Sequence, residues 1–249
     1  MKKLIAFTAA GLFVALSLSA QDAKEIVRKA DEKFQGEKTS ESVMTMKIVR
    51  PTWERTISFK NWTSGKELSL TLITGPAKEK DQTFLKRDNE MWSWNPTIQR
   101  MIKLPPSMMS QGWMGSDYTN DDILRESSIV KDYTHSIIGS ETLERRDCYK
   151  IELIPHEDAA VVWGKIIMWI SKEEYLQLKV AYYDEDGYLV RTMLGKDIRN
   201  FDGRTLPSIM EILPADEEGN KTIVNIDDMK FNKPIPASFF SQQNMKRVR

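Results

Sequence analysis

The stretch Tyr182-Tyr183-Asp184-Glu185-Asp186-Gly187-Tyr188-Leu189-Val190 carries the strongest structural signal in the chain. An Asp-Gly pair between two runs of aromatic and branched residues is typical of a β-hairpin, because glycine readily adopts the positive φ that a tight turn requires. Similar turns are expected at Asp202-Gly203 and at Glu218-Gly219-Asn220. The flanking sequence predicts antiparallel strands over 143–154, 160–171, 176–184, 187–196, 205–213 and 221–230.

The first half of the chain alternates apolar and polar residues in the same way. Met44, Met46 and Ile48 alternate with polar side chains, and Leu68, Leu70 and Leu72 do so in a second run. Residues 56–60 give a third run of this kind. Period-two alternation is typical of strands with one buried and one solvated face. We therefore expect a mainly β (α+β) domain over residues 21–249, in which about ten antiparallel strands form a sheet that curls to cover its apolar face.

Two helical segments are predicted to cover this sheet. In residues 22–35, apolar side chains recur at spacings of three and four, and Gly36 is expected to end the helix. Residues 116–125 predict a short helix capped by Ser116 or Asp117. It follows a Met- and Gly-rich irregular segment, residues 105–115.

The N-terminus has the pattern of a secretory signal. Lys2 and Lys3 precede an apolar run over residues 4–18, and small residues follow as far as Ala20. The run is shorter than the roughly 20 residues that a membrane-spanning helix needs. We expect residues 1–20 to be a signal peptide that is removed near Ala20, and the mature chain to reside in the periplasm. An uncleaved membrane anchor is the alternative.

Composition and motifs argue against several classes of function. Removing Lys2 and Lys3 from the 36 basic residues leaves 34 against 36 acidic ones, a balance unsuited to nucleic acid. Cys148 is the only cysteine, and His135 and His156 lack the spacing of metal ligands. The sequence has neither a glycine-rich phosphate loop nor a serine elbow. We therefore predict no catalytic residue, no metal and no cofactor, and binding rather than catalysis.

Large, soft apolar side chains are abundant, with 13 Met and seven Trp. An ordinary core explains any one of them, but flexible methionine surfaces also suit ligands of variable shape. Many lie in or beside the irregular middle segment, which favours a mobile apolar lid over a cavity. With the strand residues that share a face, the candidate cavity and lid residues are Met44, Met46, Ile48, Leu68, Leu70, Leu72, Trp92, Trp94, Met101, Met108, Met109, Trp113, Met114 and Met168. The strand sets, together with Val162, Ile166 and Ile170, are predicted to converge on one interior.

Two blocks of sequence resemble a known family. Residues 87–96 read RDNEMWSWNP, and residues 111–122 read QGWMGSDYTNDD. Together with the leading helix and residues 56–76, they resemble the longer branch of the LolA-like outer-membrane lipoprotein-sorting proteins over about residues 22–249. The resemblance implies a half-open β-barrel covered by an N-terminal helix and a short lid helix. It also implies an apolar cavity for the acyl chains of lipoproteins, without a cofactor or catalysis.

The resemblance further implies partners and a means of closing the lid. LolA proteins receive cargo from an inner-membrane release complex and pass it to an outer-membrane acceptor. A monomer in transient contact with membranes is therefore expected. An arginine before a proline on an early strand ties the family's lid shut; Arg50-Pro51 resembles that pair, and Arg55 is an alternative.

Cargo and function class stay open at this point. The cargo could be lipoproteins, free lipids or the product of an exporter of another class. An envelope interaction module, or an accessory subunit of a membrane exporter, with a filled core is the second hypothesis. A periplasmic hydrolase acting through carboxylates is the third.

Overall fold

The computed structural model describes residues 23–33, 38–88, 90–109, 111–120, 122, 128–159 and 161–249; the predicted signal peptide lies outside them. Within the described residues, thirteen antiparallel strands form one curled, unclosed sheet. The strands are β1 (Thr39–Arg50), β2 (Trp53–Ser64), β3 (Leu68–Gly75), β4 (Thr83–Arg87), β5 (Glu90–Asn95), β6 (Arg100–Lys103), β7 (Tyr133–Leu143), β8 (Arg146–Pro155), β9 (Lys165–Ser171), β10 (Gln177–Tyr183), β11 (Leu189–Phe201), β12 (Arg204–Pro214) and β13 (Lys221–Phe231). Helix α1 (23–33) precedes them, and the single-turn helix α2 (Gln242–Met245) follows.

The strand order divides the sheet into two meanders. Strands β1 to β6 run in chain order toward one edge, and β7 to β13 run in chain order inward from the other. The two meanders join at the centre, where β1 pairs with β13. The chain between β6 and β7 therefore has to cross the sheet from edge to edge. We call the face that this crossover connection covers the inner face, and the opposite one the outer face.

Helix α1 and the crossover connection cover different parts of the inner face. Ala23, Ile26, Val27 and Ala30 of α1 are buried against β8, β9 and β10, which confirms the helix that their spacing predicts. Burying Ile26 and Val27 stabilises this contact by roughly 3–6 kcal/mol in all. The predicted end of this helix, at residues 34–36, lies outside the described residues.

The C-terminal segment covers part of the outer face. After β13 the chain returns across β3, β4 and β5, where Phe240, Met245 and Val248 are buried against Leu70, Leu72 and other apolar side chains of those strands. A separate outer cluster under β8 to β10 includes Cys148 and Trp169. The sheet is thus packed on both faces, although alternation alone predicts one wet face.

The turn predictions are confirmed. Gly187, Gly203 and Gly219 all have positive φ, between 83° and 86°. The hairpin around Gly187 is closed by a bond from the Asp184 amide to the Tyr188 carbonyl, at 3.0 Å. The strand limits differ in three places. Strand β11 continues to Phe201, and the segment predicted over 160–171 becomes a strand only at Lys165. The segment predicted over 143–154 starts at the end of β7 and crosses a turn into β8.

Candidate functional site

The part of the crossover connection over residues 111–120, called here the lid loop, is folded upon itself. The Trp113 amide donates to the Tyr118 carbonyl at 2.6 Å, and the Asn120 amide to the Gln111 carbonyl at 2.9 Å. Gly112 is needed in this fold because a Cβ there would lie 2.3 Å from the Ser116 carbonyl oxygen. The segment predicted to be irregular is therefore a small structured unit.

The helix expected over 116–125 begins later than its predicted cap. Residues 121 and 123–127 lie outside the described residues, but Asn120 and Asp122 are helical. The Thr119 hydroxyl accepts from the Asp122 amide at 3.1 Å, and the Asp122 carboxylate accepts from the Thr119 amide at 2.8 Å. This reciprocal pair is a capping box with Thr119 as the N-cap. The prediction of Ser116 or Asp117 as the cap is wrong, because the side chains of both are engaged inside or beneath the lid loop.

Arg50 connects the centre of the sheet to the lid loop. It ends β1 on the inner face and donates to both carboxylate oxygens of Asp117, at 2.9 and 3.2 Å, and to the Gly115 carbonyl at 3.1 Å. Thr222 of β13 donates to the same carboxylate at 2.6 Å. Arg55, the alternative candidate, donates to the Met114 carbonyl. The structure therefore places both arginines against the lid loop; whether they close it over cargo stays a prediction.

A further arginine, which sequence reasoning missed, binds the crossover connection from the other meander. Arg191 of β11 makes two bonds of 2.6 Å to the Asp122 carboxylate and one of 3.2 Å to the Asp117 carbonyl. Its guanidinium also stacks on Trp163 and Tyr182, at 4.7 and 4.6 Å from the ring centroids. In the sequence, the only indication of this role is that Arg191 lies two residues before Met193 on the same strand, and Met193 packs on the inner face.

The Arg191–Asp122 pair is buried, and this shapes its electrostatics. Burial acts to raise the pKa of Asp122, but the hydrogen bonds and charge of Arg191 and the bonds from Thr119 outweigh it, so that the pKa lies below its usual value. For Arg191, burial acts to lower the pKa, and the bonds to Asp122 outweigh that effect and raise it. Both side chains are therefore charged at neutral pH, and the lid is fixed by an ion pair.

A cavity of about 270 Å³ lies between the lid loop and the inner face. This is a little below the roughly 300–1,000 Å³ of sites that hold drug-sized ligands. Its apolar walls are formed by Met44, Met46, Phe59, Trp113, Tyr118, Leu206, Met210, Val224, Ile226 and Met229. Trp113 of the lid stands edge-on to Phe59 and Phe84, with ring centroids 5.6 and 5.4 Å apart.

Much of the remaining cavity wall is polar, whereas the resemblance implies an apolar cavity. Strand register aligns inner-face residues of adjacent strands into rows across the sheet. The first row is Ser40, Thr63, Ser69 and Lys86; the second is Ser42, Asn61, Thr71 and Phe84; the third is Met44, Phe59 and Ile73. The wall therefore changes from polar to apolar between the second and third rows. We call the seven polar residues of the first two rows the polar rows.

The predicted site residues separate into two groups on opposite faces. On the inner face, around the lid, are Met44, Met46, Ile48, Met109, Trp113 and Met114. Met168 is also on that side, but it packs beneath α1. Under the C-terminal segment on the outer face are Leu70, Leu72, Trp92, Trp94 and Met101. Met108 is half-buried, and its carbonyl oxygen accepts from Asn120 at 2.9 Å.

The prediction of one shared interior is therefore wrong for the outer group. In β3 the inner-face positions are Ser69, Thr71 and Ile73, so Leu70 and Leu72 face away from the cavity. Leu68 packs with the outer group and also reaches the cavity lining. Val162 is exposed, so it does not join Met168 in an interior. A ligand role for the inner group stays a prediction.

His135 and Cys148, which the sequence analysis considered as possible metal-binding or catalytic residues, are both buried. His135 is buried, and its Nε2 lies 2.7 Å from the Ile129 carbonyl oxygen. Burial lowers the pKa of this imidazole. Burial raises the pKa of the Cys148 thiol, which disfavours the reactive thiolate.

The comparisons with known proteins start with the sequence. A family model described as "Uncharacterized protein"-like matches residues 65–247. The chain belongs to this family. Among curated proteins, none matches the chain. In the part of the chain that the structure describes, no helix is both long and apolar enough to cross a membrane.

Solved structures of similar fold cover nearly the whole chain. A DUF1329 family protein from Desulfovibrio piger has a TM-score of 0.82 and 22% identity, covering 91% of this chain and 99% of its own. A domain named for outer-membrane lipoprotein sorting, from Vibrio parahaemolyticus, has a TM-score of 0.79 and 21% identity over 92% and 100%. A LolA superfamily protein from Nitrosomonas europaea has a TM-score of 0.73 and 24% identity over 89% and 98%. The chain thus has a LolA-like fold, as its resemblance predicts.

Proposed function

We propose that this protein is a periplasmic carrier, which binds the acyl chains of lipoproteins or other lipids under the lid loop and moves them toward the outer membrane. The observation that carries the proposal is the cavity itself, a space of about 270 Å³ with methionine and aromatic walls beneath the lid loop. Ion pairs of Asp117 in this loop and of Asp122 just after it hold the segment in place. The likeness in fold to the LolA superfamily protein of Nitrosomonas europaea supports it.

The composition of the lid suits a binding protein that must open. If apolar packing alone closed the cavity, opening would expose a large apolar surface to water. Here much of the closing contact is made by Arg50 with Asp117 and by Arg191 with Asp122, groups that water solvates well when they separate. Each methylene of a bound chain contributes about 0.8 kcal/mol, so a chain of moderate length can offset the cost of displacing the loop.

The proposal includes transfer between partners. A release complex or transporter in the inner membrane would load the carrier, and an acceptor in the outer membrane would unload it. The rival hypothesis, an envelope interaction module with a filled core, is disfavoured by the cavity. The same cavity favours binding over hydrolysis, since the Asp122 carboxylate on its wall is held by Arg191.

Binding of a fluorescent fatty acid to delipidated protein tests the proposal. We expect saturable binding, measured by the anisotropy of the probe. Met44 is half-buried on the cavity wall, so Met44→Trp should displace about two methylenes, which is about 1.6 kcal/mol or roughly 15-fold in affinity.

The matched control is Ile154→Trp, at an exposed position of β8 away from the cavity; it should leave the affinity unchanged. Absence of saturable binding to the unmodified protein would exclude the carrier function. Equal binding by both variants would mean that the ligand occupies another place.

A further inference from the structure

Two side chains of the polar rows, Ser42 and Asn61, retain hydrogen-bonding capacity that the described residues do not fill. Ser42 is 1% exposed, and the hydrogen bond that the structure describes for its hydroxyl, to the Asn61 carbonyl, is 3.5 Å long. Asn61 accepts from Ser69 and Thr71 through one side-chain oxygen, at 2.9 Å each. Its amide nitrogen is the part of this side chain left for a ligand. Buried polar groups normally have hydrogen-bonding partners of good geometry, and a ligand in the cavity would supply them.

Lys86 places an ammonium group at the same end. Lys86 ends the first row and is buried, with its ammonium group 2.7 Å from the Lys66 carbonyl oxygen. Lys66 also lines the cavity, and its ammonium group forms an ion pair with the Asp31 carboxylate.

An ammonium group and an amide N–H₂ only donate. The hydroxyls of Ser69 and Thr71 already donate to Asn61, whereas the bonded Ser40–Thr63 pair has one hydroxyl hydrogen left to donate. This end of the cavity therefore favours a ligand group that is rich in acceptor oxygens.

The opposite end of the cavity favours an alkyl chain, and Trp113 marks the boundary. Its indole ring contacts Phe84 in the second row and Phe59 in the third. The indole Nε1 is buried without a hydrogen-bond partner in the described residues. An indole with an apolar body and one donor suits the junction between a chain and a headgroup.

The size of the cavity limits what its polar end can receive. The polar part of a lipoprotein is a whole polypeptide, which cannot enter a space of about 270 Å³. Acyl chains alone would leave the polar rows facing hydrocarbon. A small headgroup satisfies both the volume and the donors.

We propose, building on the carrier function above, that the ligand is a free amphiphilic lipid, whose small acceptor-rich headgroup is buried against the polar rows while its chain lies along the Met44, Phe59 and Met210 side. Phosphate and glycerol headgroups share the required chemistry. The two headgroups differ in charge, so a variant that removes the charge of Lys86 distinguishes them.

Displacement of the fluorescent fatty acid by three decyl ligands tests this inference. They are decyl phosphate, monodecanoylglycerol and methyl decanoate, which share the chain length and differ in the headgroup. We expect at least one of the first two to bind ten or more times more tightly than methyl decanoate. The double variant Ser42→Ala/Thr71→Val keeps the shape of the wall and removes two hydroxyls, so it should reduce that preference below threefold.

Two further variants complete the design. Thr56→Val changes an exposed threonine on the other side of β2 and should leave the preference intact. Lys86→Met keeps the length of the side chain; it should weaken decyl phosphate tenfold and spare monodecanoylglycerol if the headgroup is a phosphate. If Lys86→Met weakens binding of neither ligand, the headgroup is bound by the hydroxyls alone. Thermal melting of each variant confirms folding.

The outcomes separate the two proposals. If the fatty acid binds but methyl decanoate competes as well as the headgroup ligands, the buried headgroup is refuted and the acyl carrier stands. An unchanged preference in the Ser42→Ala/Thr71→Val variant refutes it as well. If neither the fatty acid nor any decyl ligand binds, both proposals fail.

Discussion

Removing Arg191 should release the lid without unfolding the sheet. The Arg191 and Asp122 side chains are only 8% and 16% exposed, so solvent screens their attraction little. Truncating one partner of such a pair costs about 3–5 kcal/mol while the other stays buried and charged. Asp122, however, belongs to the crossover connection, so opening this segment returns the carboxylate to water. The lid should therefore separate locally in Arg191→Met.

Hydrogen exchange at one amide reports this opening directly. The Asp117 amide donates to the Thr222 hydroxyl of β13 at 3.0 Å, a bond that joins the lid to the sheet. If the variant lowers the free energy of opening by about 3 kcal/mol, exchange at Asp117 should be roughly 150-fold faster. Amides of β12 should be unaffected. Arg199→Met is the control, since Arg199 lies on the same strand and pairs with Asp197 at the surface.

A double-mutant cycle separates the ion pair from the other contacts of Arg191. Asp122→Asn retains the oxygen that accepts from the Thr119 amide and removes the charge. If the pair holds the lid, the double variant should open less than the sum of the two single variants, with a coupling of about 2 kcal/mol. Additivity within about 0.5 kcal/mol would refute the assignment, and so would unchanged Asp117 exchange in Arg191→Met.

Three further variants or conditions test other parts of the structure. Leu70→Glu places a carboxylate in the packed outer cluster, and the penalty of about 3–4 kcal/mol should lower Tm by roughly 10 °C. Met44→Glu, on the cavity wall, should lower the free energy of unfolding much less. Equal losses of stability in the two variants would contradict the assignment of faces. Arg50→Leu removes the hydrogen bonds to Asp117 and should speed dissociation of the fatty-acid probe about tenfold or more while the protein still folds. An unchanged dissociation rate, measured by stopped flow, would show that Arg50 does not hold the lid loop closed. Because the pKa of Asp122 is held below its ordinary value of 3.8, its contribution to closure is complete above that value and is lost as the pH falls through the lowered pKa. Lid exchange rates, corrected for intrinsic chemistry, should thus be flat from neutral pH to about 4 and rise below it, and a rise near pH 6 would point to another group.

Local periodicity was enough to predict most of the secondary structure. The Asp-Gly turns, the alternating strands and the three-four spacing of α1 depend on neighbours in sequence, and the described structure confirms them. The resemblance in the lid region likewise indicated the LolA-like fold and drew attention to Arg50, which contacts the lid loop. These features could be predicted because each depends on a few residues that are adjacent in the sequence.

The face on which a strand residue lies was not predictable in the same way. Alternation shows that Leu70 and Leu72 share a face, but it does not show on which side of the sheet that face lies. The C-terminal segment decides the matter, since it returns over the outer face and covers them. A segment more than 150 residues away along the chain thus takes these leucines away from the cavity.

The lid contacts and the polar rows depend on the tertiary structure even more directly. Arg191 and Asp122 are 69 residues apart, and they meet because the chain crosses from β6 to β7 over the inner face. Ser42, Asn61 and Thr71 are unremarkable in sequence, and only the register of β1, β2 and β3 aligns them in one row. The sequence by itself determined most of the strands, the turns and the first helix, through periods of two and 3.6 residues; about ten strands were expected, and the structure has thirteen in its described residues. The tertiary structure alone decided where the cavity lies and which of its walls are polar, because strand pairing brings together residues that no local pattern connects.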